Sequence, residues 1–80
     1  MDNVKEFLED IKQAIGVNSQ KEVFLRYKEF SFFLEPHGER IDVCGKGAVL
    51  SSYDDFDDMA NNFMIDGKPF IERIGEIEYD

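Results

Sequence analysis

Apolar residues recur at two different periods along the chain, and the switch between them sets the expected order of elements. Val4, Phe7, Leu8, Ile11, Ala14 and Ile15 follow the i, i+3, i+4, i+7 rule of one helix face. Glu6, Glu9, Asp10, Lys12 and Gln13 are left for water. Asn3 with Glu6 three residues later matches a capping box, and Gly16 supplies a stop. From Val23 the period changes to two. Val23, Leu25 and Tyr27 alternate on odd numbers, whereas Phe30, Phe32 and Leu34 alternate on even ones. A single straight strand would throw the two sets onto opposite faces. A two-residue turn at Lys28-Glu29 instead pairs Tyr27 with Phe30, Leu25 with Phe32 and Val23 with Leu34, so all six line one face. Lys-Glu lacks the Asn-Gly chemistry of tight hairpins, which leaves a long strand with a bulge near Lys28 as the competing reading.

Glu35-Pro36-His37-Gly38-Glu39 has the composition of a turn and leads to a third strand over Arg40–Cys44, with Ile41 and Val43 inward. Gly45-Lys46-Gly47 breaks that strand, and Ala48-Val49-Leu50 reads as a short extension or a packed loop. Ser52 with Asp55 forms a second capping box, opening a short helix with Phe56, Met59, Ala60 and Phe63 on one side. Ile65-Asp66-Gly67-Lys68 is a turn. Pro69 suits the first position of a last helix carrying Phe70, Ile71, Ile74 and Ile77, which Gly75 weakens by about 1 kcal/mol relative to Ala. Glu76-Ile77-Glu78-Tyr79 reads alternatively as an edge strand. The expected fold is α+β: residues 1–80 form one small domain, a three-stranded antiparallel meander with helices on one face, in the order α-β-β-β-α-α.

Composition narrows the function classes. A 42% hydrophobic fraction with eight Phe and three Tyr is too rich for a disordered chain. The longest uninterrupted apolar runs, such as Phe32-Phe33-Leu34, are far too short for a membrane span. The acidic, amphipathic start lacks the basic and apolar stretches of a secretion signal. With Cys44 as the single cysteine, a reducing cytoplasm is the expected setting. The net charge of −9 argues against direct binding of nucleic acid or anionic lipid. That charge is uneven: residues 1–40 hold six Lys/Arg and eight Asp/Glu, whereas residues 41–80 hold three and ten.

Candidate chemistry is sparse. Asp54, Asp55, Asp57 and Asp58 fail as a calcium loop, because counting from Asp55 puts Met59 fifth, Ala60 sixth and Asp66 twelfth. No metal or cofactor is expected. Asp54 and Asp55 suit a helix N-terminus. Asp57 and Asp58 add like-charge pairs three and four apart, each unfavourable on a helix. A recognition surface gives them a purpose: carboxylates spaced by about 5–6 Å resemble a row of phosphates and accept bidentate bonds from Arg. Glu76, Glu78 and Asp80 add acids at the C-terminal end. Gly45-Lys46-Gly47 lacks the frame of a phosphate loop. His37 and Cys44 lie roughly 23 Å apart along an extended chain, within hydrogen-bond reach only after a sharp fold-back. No enzyme is expected. On the sheet face away from the core stripe, Phe24 opposes Phe33, either as an exposed patch or under a wrapping helix.

Asp66-Gly67-Lys68-Pro69-Phe70-Ile71-Glu72 and the following Ile74-Gly75-Glu76-Ile77, after the acidic Tyr53-Asp54-Asp55-Phe56, resemble the endings of small uncharacterised bacterial proteins. Such short acidic chains are common in phages and mobile elements, a group that includes anti-CRISPR inhibitors. The resemblance covers the C-terminal third, contains no catalytic motif and implies a setting more than a mechanism. The expected function is therefore a non-enzymatic acidic protein-binding module. Its most concrete form is an inhibitor of the anti-CRISPR or DNA-mimic type that occupies the basic nucleic-acid groove of a bacterial protein. Asp54, Asp55, Asp57, Asp58, Glu76, Glu78 and Asp80 would be its contacts. The alternative is a structural or adaptor protein that self-associates, as a homodimer, through Phe24 and Phe33.

Overall fold

The two apolar sets of residues 23–34 do face each other across a tight hairpin. The computed structural model describes residues 3–80, without the side chain of Asn3, so the Asn3–Glu6 cap lies outside the described residues. Helix α1 (Asn3–Ile15) is followed by strands β1 (Val23–Tyr27), β2 (Phe30–His37), β3 (Arg40–Gly45) and β4 (Ala48–Tyr53). Helix α2 (Phe56–Asn62), a ribbon of β5 (Met64–Ile65) and β6 (Lys68–Pro69), helix α3 (Phe70–Arg73), a 3-10 turn (Ile74–Glu76) and strand β7 (Ile77–Tyr79) complete the chain. Val23 pairs with Leu34, Leu25 with Phe32 and Tyr27 with Phe30, which is the expected hairpin register and not the bulged long strand.

The expected three-stranded meander is the centre of a larger sheet. Five antiparallel strands run in the spatial order β4-β3-β2-β1-β7, and β5 with β6 forms a separate two-stranded ribbon. The α-β-β-β-α-α order is therefore corrected by the addition of β4 at one edge and β7 at the other. Ala48-Val49-Leu50 is part of β4 because Lys46 and Gly47, at φ 51° and 79°, make a turn with both central residues left-handed, which sends the chain back along β3. Ile77 leaves the expected last helix to pair with Tyr27, since β1 would otherwise expose its outer row of backbone donors and acceptors.

Two boundaries shift as well. Strand β2 runs through Pro36 to His37, and only Gly38-Glu39 form the turn. Pro36 is tolerated because β1 ends opposite Leu34, so no ladder partner on that side waits for its missing N–H. Ser52 lies in β4 and does not cap α2; the cap is Asp55, whose carboxylate accepts from the Asp58 amide at 2.8 Å. Pro69 ends β6 one residue before α3 begins. The Lys28-Glu29 turn holds Lys28 at φ 54°, a conformation that costs a side-chain-bearing residue about 1–2 kcal/mol. Burial of Val23, Leu25, Tyr27, Phe32 and Leu34 outweighs it, since each large apolar side chain fully buried is worth about 1.5–3 kcal/mol.

All helices cover one face of the sheet. Ile11 and Ile15 from α1, Met59 and Ala60 from α2, and Phe70 from α3 are buried against Leu25, Leu34, Ile41 and Val43. Val4, near the start of α1, and Ile71 in α3 are expected core residues that stay exposed. Phe30 also sits at the rim, stacked on Phe32 with ring centroids 5.0 Å apart. No helix in the described residues is long and apolar enough to cross a membrane.

Candidate functional site: the open face of the sheet

Strand alternation sends every second residue of the sheet away from the helices, and registry aligns those residues into rows. One row is apolar across four strands. Phe24 pairs with Phe33, Phe33 with Cys44, and Cys44 with Val49. The Phe24 and Phe33 rings lie 5.0 Å apart at 30°, in the tilted geometry of a favourable aromatic pair. Phe24 is 50% exposed and Val49 56% exposed, so no helix wraps over this row. Cys44, at 3% exposure, is sealed between its neighbours. Leu50 is an extra residue in β4, a bulge opposite the Val43–Cys44 step, and its side chain lies over Gly45. A groove of about 520 Å³ next to it, between two hairpin tips, is lined by Phe30, Ser31, Gly45 and Leu50 with Glu29 and Lys46.

The row beside this one is acidic. Glu35 pairs with Asp42 and Asp42 with Ser52, and His37 projects from the same face two residues beyond Glu35. The His37 Nε2 lies 3.3 Å from an Asp42 oxygen and 3.9 Å from Glu35 Oε1. Ser52 donates its hydroxyl hydrogen to the other Asp42 oxygen at 2.7 Å. The Cys44 thiol donates to Glu35 at 3.7 Å. The hairpin thus supplies the fold-back that brings His37 and Cys44 to one carboxylate. Burial first, and the Glu35 charge second, push the Cys44 thiol above its usual range, which keeps it protonated and unreactive at neutral pH.

The expected acidic contacts are split between two edges of the sheet. Asp54, Asp55, Asp57 and Asp58 surround the start of α2, beside β4, whereas Glu76, Glu78 and Asp80 flank β7 at the opposite edge. Several are engaged within the chain. Asp54 pairs with Arg40 at 3.2 Å. Asp58 accepts from the Asp54 amide at 3.0 Å and from Asn62 at 2.7 Å. Glu76 pairs with Arg73, and Glu78 pairs with Arg26 at 2.8 Å. The Asp57 carboxylate has no hydrogen-bond or ion-pair partner among the described residues. Capping thus accounts for the like-charge crowding at Asp55 and Asp58.

Val49 and the Glu35–His37–Asp42 group escaped sequence reasoning for the same reason. Both require strands longer than their turn-forming residues suggested. Glu35 and His37 are two apart, the strand spacing for one face, and that signal emerges once β2 is carried through Pro36.

Together these features define a small acidic α+β domain with helices on one side and an uncovered sheet face on the other. The chain matches no protein-family model, no curated protein and no solved structure.

Proposed function

We propose that this protein is a non-enzymatic binding module that docks a basic protein on the open face of its sheet. The observation that carries the reading is the register-aligned row Phe24–Phe33–Val49, exposed at both ends and bordered by the acidic Glu35–Asp42 row. Aromatic side chains on a stiff sheet serve as anchors at little entropic cost, and surrounding acids select the partner's charge. The net charge of −9 favours a basic partner over a second copy, because two such chains repel. An inhibitor seated in a nucleic-acid groove is the narrower form of this reading. In that form Asp57, on α2 beside β4, and Asp80, after β7 at the opposite edge, would be phosphate-like contacts outside the open face.

The test is capture of partners from a lysate of the source cell, followed by titration of the purified partner. Phe24→Ser with Phe33→Ser should weaken binding by at least about tenfold, or roughly 1.4 kcal/mol. Raising the salt should slow association with the parent chain. An unchanged affinity in the double variant would overturn the docking face. A salt-insensitive partner without basic surface would overturn its charge logic. Sedimentation of the parent as a stable dimer would turn the face over to self-association.

A further inference from the structure

We propose that Glu35, His37 and Asp42 form a site for one divalent transition-metal ion of the zinc class on the outer face of the sheet. Their placement follows from strand geometry: Glu35 and His37 are two apart on β2, and Asp42 lies directly across the β2–β3 ladder from Glu35. All three donor groups lie within 4.8 Å of one another. An ion bound at about 2.0–2.2 Å from nitrogen and oxygen donors sets those donors roughly 3–4 Å apart. The distances from His37 Nε2, 3.3 Å to Asp42 and 3.9 Å to Glu35, already meet that requirement.

The electrostatics point to the same site independently. Like charges directly opposed across an antiparallel pair are destabilising, and Glu35 and Asp42 are such a pair. Asp42 is 18% exposed and Glu35 35%, so water screens the repulsion only in part, and least at Asp42. No Lys or Arg pairs with either among the described residues; Arg40, next to His37 in the ladder, turns to Asp54 instead. A bound cation removes this repulsion. Ser52, donating to one Asp42 oxygen, leaves the other aimed at His37, which is how outer hydrogen bonds usually orient a metal-binding carboxylate.

The donor set also selects the ion. One imidazole with two carboxylates suits zinc and its first-row neighbours, whereas calcium and magnesium favour shells made of oxygen alone. Three protein donors leave a coordination position for water.

Titration of the chelator-treated full chain with zinc chloride, followed by calorimetry, should give one ion per chain. Glu35→Gln, His37→Gln and Asp42→Asn should each weaken that binding at least tenfold, while Asp57→Asn leaves it unchanged. A millimolar excess of calcium should not displace the ion. A measurement on the parent chain avoids any effect of substitution on folding. His37 is the single histidine, so cobalt(II) should selectively broaden and shift its ring proton resonances. Saturable binding that survives all three substitutions, a stoichiometry other than one, or His37 signals untouched at saturating cobalt would overturn the site.

Discussion

The meander from Val23 to Tyr53 and the segment from Phe56 to Tyr79 are held together in different ways. In the meander each strand pairs with its neighbour in sequence, and the two-residue turns at 28–29, 38–39 and 46–47 set the register locally. The second segment contains strands of two and three residues and a four-residue helix, none long enough to persist alone. Side chains that reach across it fix its shape. Arg73 donates from Nε to the Ile65 carbonyl at 3.0 Å and from a terminal nitrogen to the Asp66 carbonyl at 2.6 Å. It also pairs with Glu76 and lies over the Tyr27 ring at 5.5 Å. The Tyr27 hydroxyl donates to Asp66 at 3.1 Å, tying the ribbon turn back to β1. Regular hairpins carry their instructions in neighbouring residues, whereas an irregular segment depends on one well-placed guanidinium and the core beneath it.

The largest expected effect asks whether the two regions are separable at all. Phe32 lies in the meander and Phe70 in the second segment, yet both are buried in one core and both rings approach Phe63. Phe32→Ala and Phe70→Ala should each cost about 3–5 kcal/mol, comparable to the whole stability of a domain this small. Urea unfolding should show a single transition in each. Two transitions in Phe70→Ala would mean that the segment unfolds on a meander that stands alone.

A smaller effect should separate the regions. Arg73→Met keeps much of the apolar stem but removes the donors to Ile65 and Asp66. It should lower the urea midpoint less than the core variants do. Amide exchange should speed up in the ribbon and β7 while β2 and β3 remain protected. Arg73→Lys should not rescue it, because an ammonium cannot reproduce the planar fork. Equal loss of protection in both regions would refute a local clamp.

The smallest effect belongs to the meander. Cys44 has its proton affinity raised, mainly by burial and next by Glu35, so the folded state holds the thiol proton more tightly than the unfolded chain does. This contribution is fully present below the unfolded thiol value of about 8.5 and declines as the pH rises through the higher folded value. Stability measured upward from that pH should fall, and Cys44→Ala should remove this part of the fall. Rapid labelling of Cys44 by a thiol reagent at neutral pH would contradict its burial.

Helix α1 and the facing of Leu25 with Phe32 were legible in the sequence, the latter beside a bulged-strand alternative, whereas the exposure of the Phe24–Phe33 pair was settled by the tertiary structure. For the helix and the hairpin, the periodicity of apolar residues favours the arrangement that buries the larger set. The Asp66-Gly67 turn is legible for a related reason, since φ 52° followed by 87° suits that dipeptide as it suits few others. Tertiary structure decided the rest. The spacing of Ile74 and Ile77 serves a helix, and the alternation of Ile77, Glu78 and Tyr79 serves a strand equally well. The open edge of β1, far away in the chain, chose the strand by offering backbone hydrogen bonds and a place for Ile77 beside Tyr27. The meeting of Glu35 with Asp42 across the ladder, with His37 beside them, belongs instead to the local β2–β3 hairpin, and turn-like composition hid it. Pro36 and His37 have the local chemistry of a turn, and the pairing of Pro36 with Ile41 on β3 holds them in a strand.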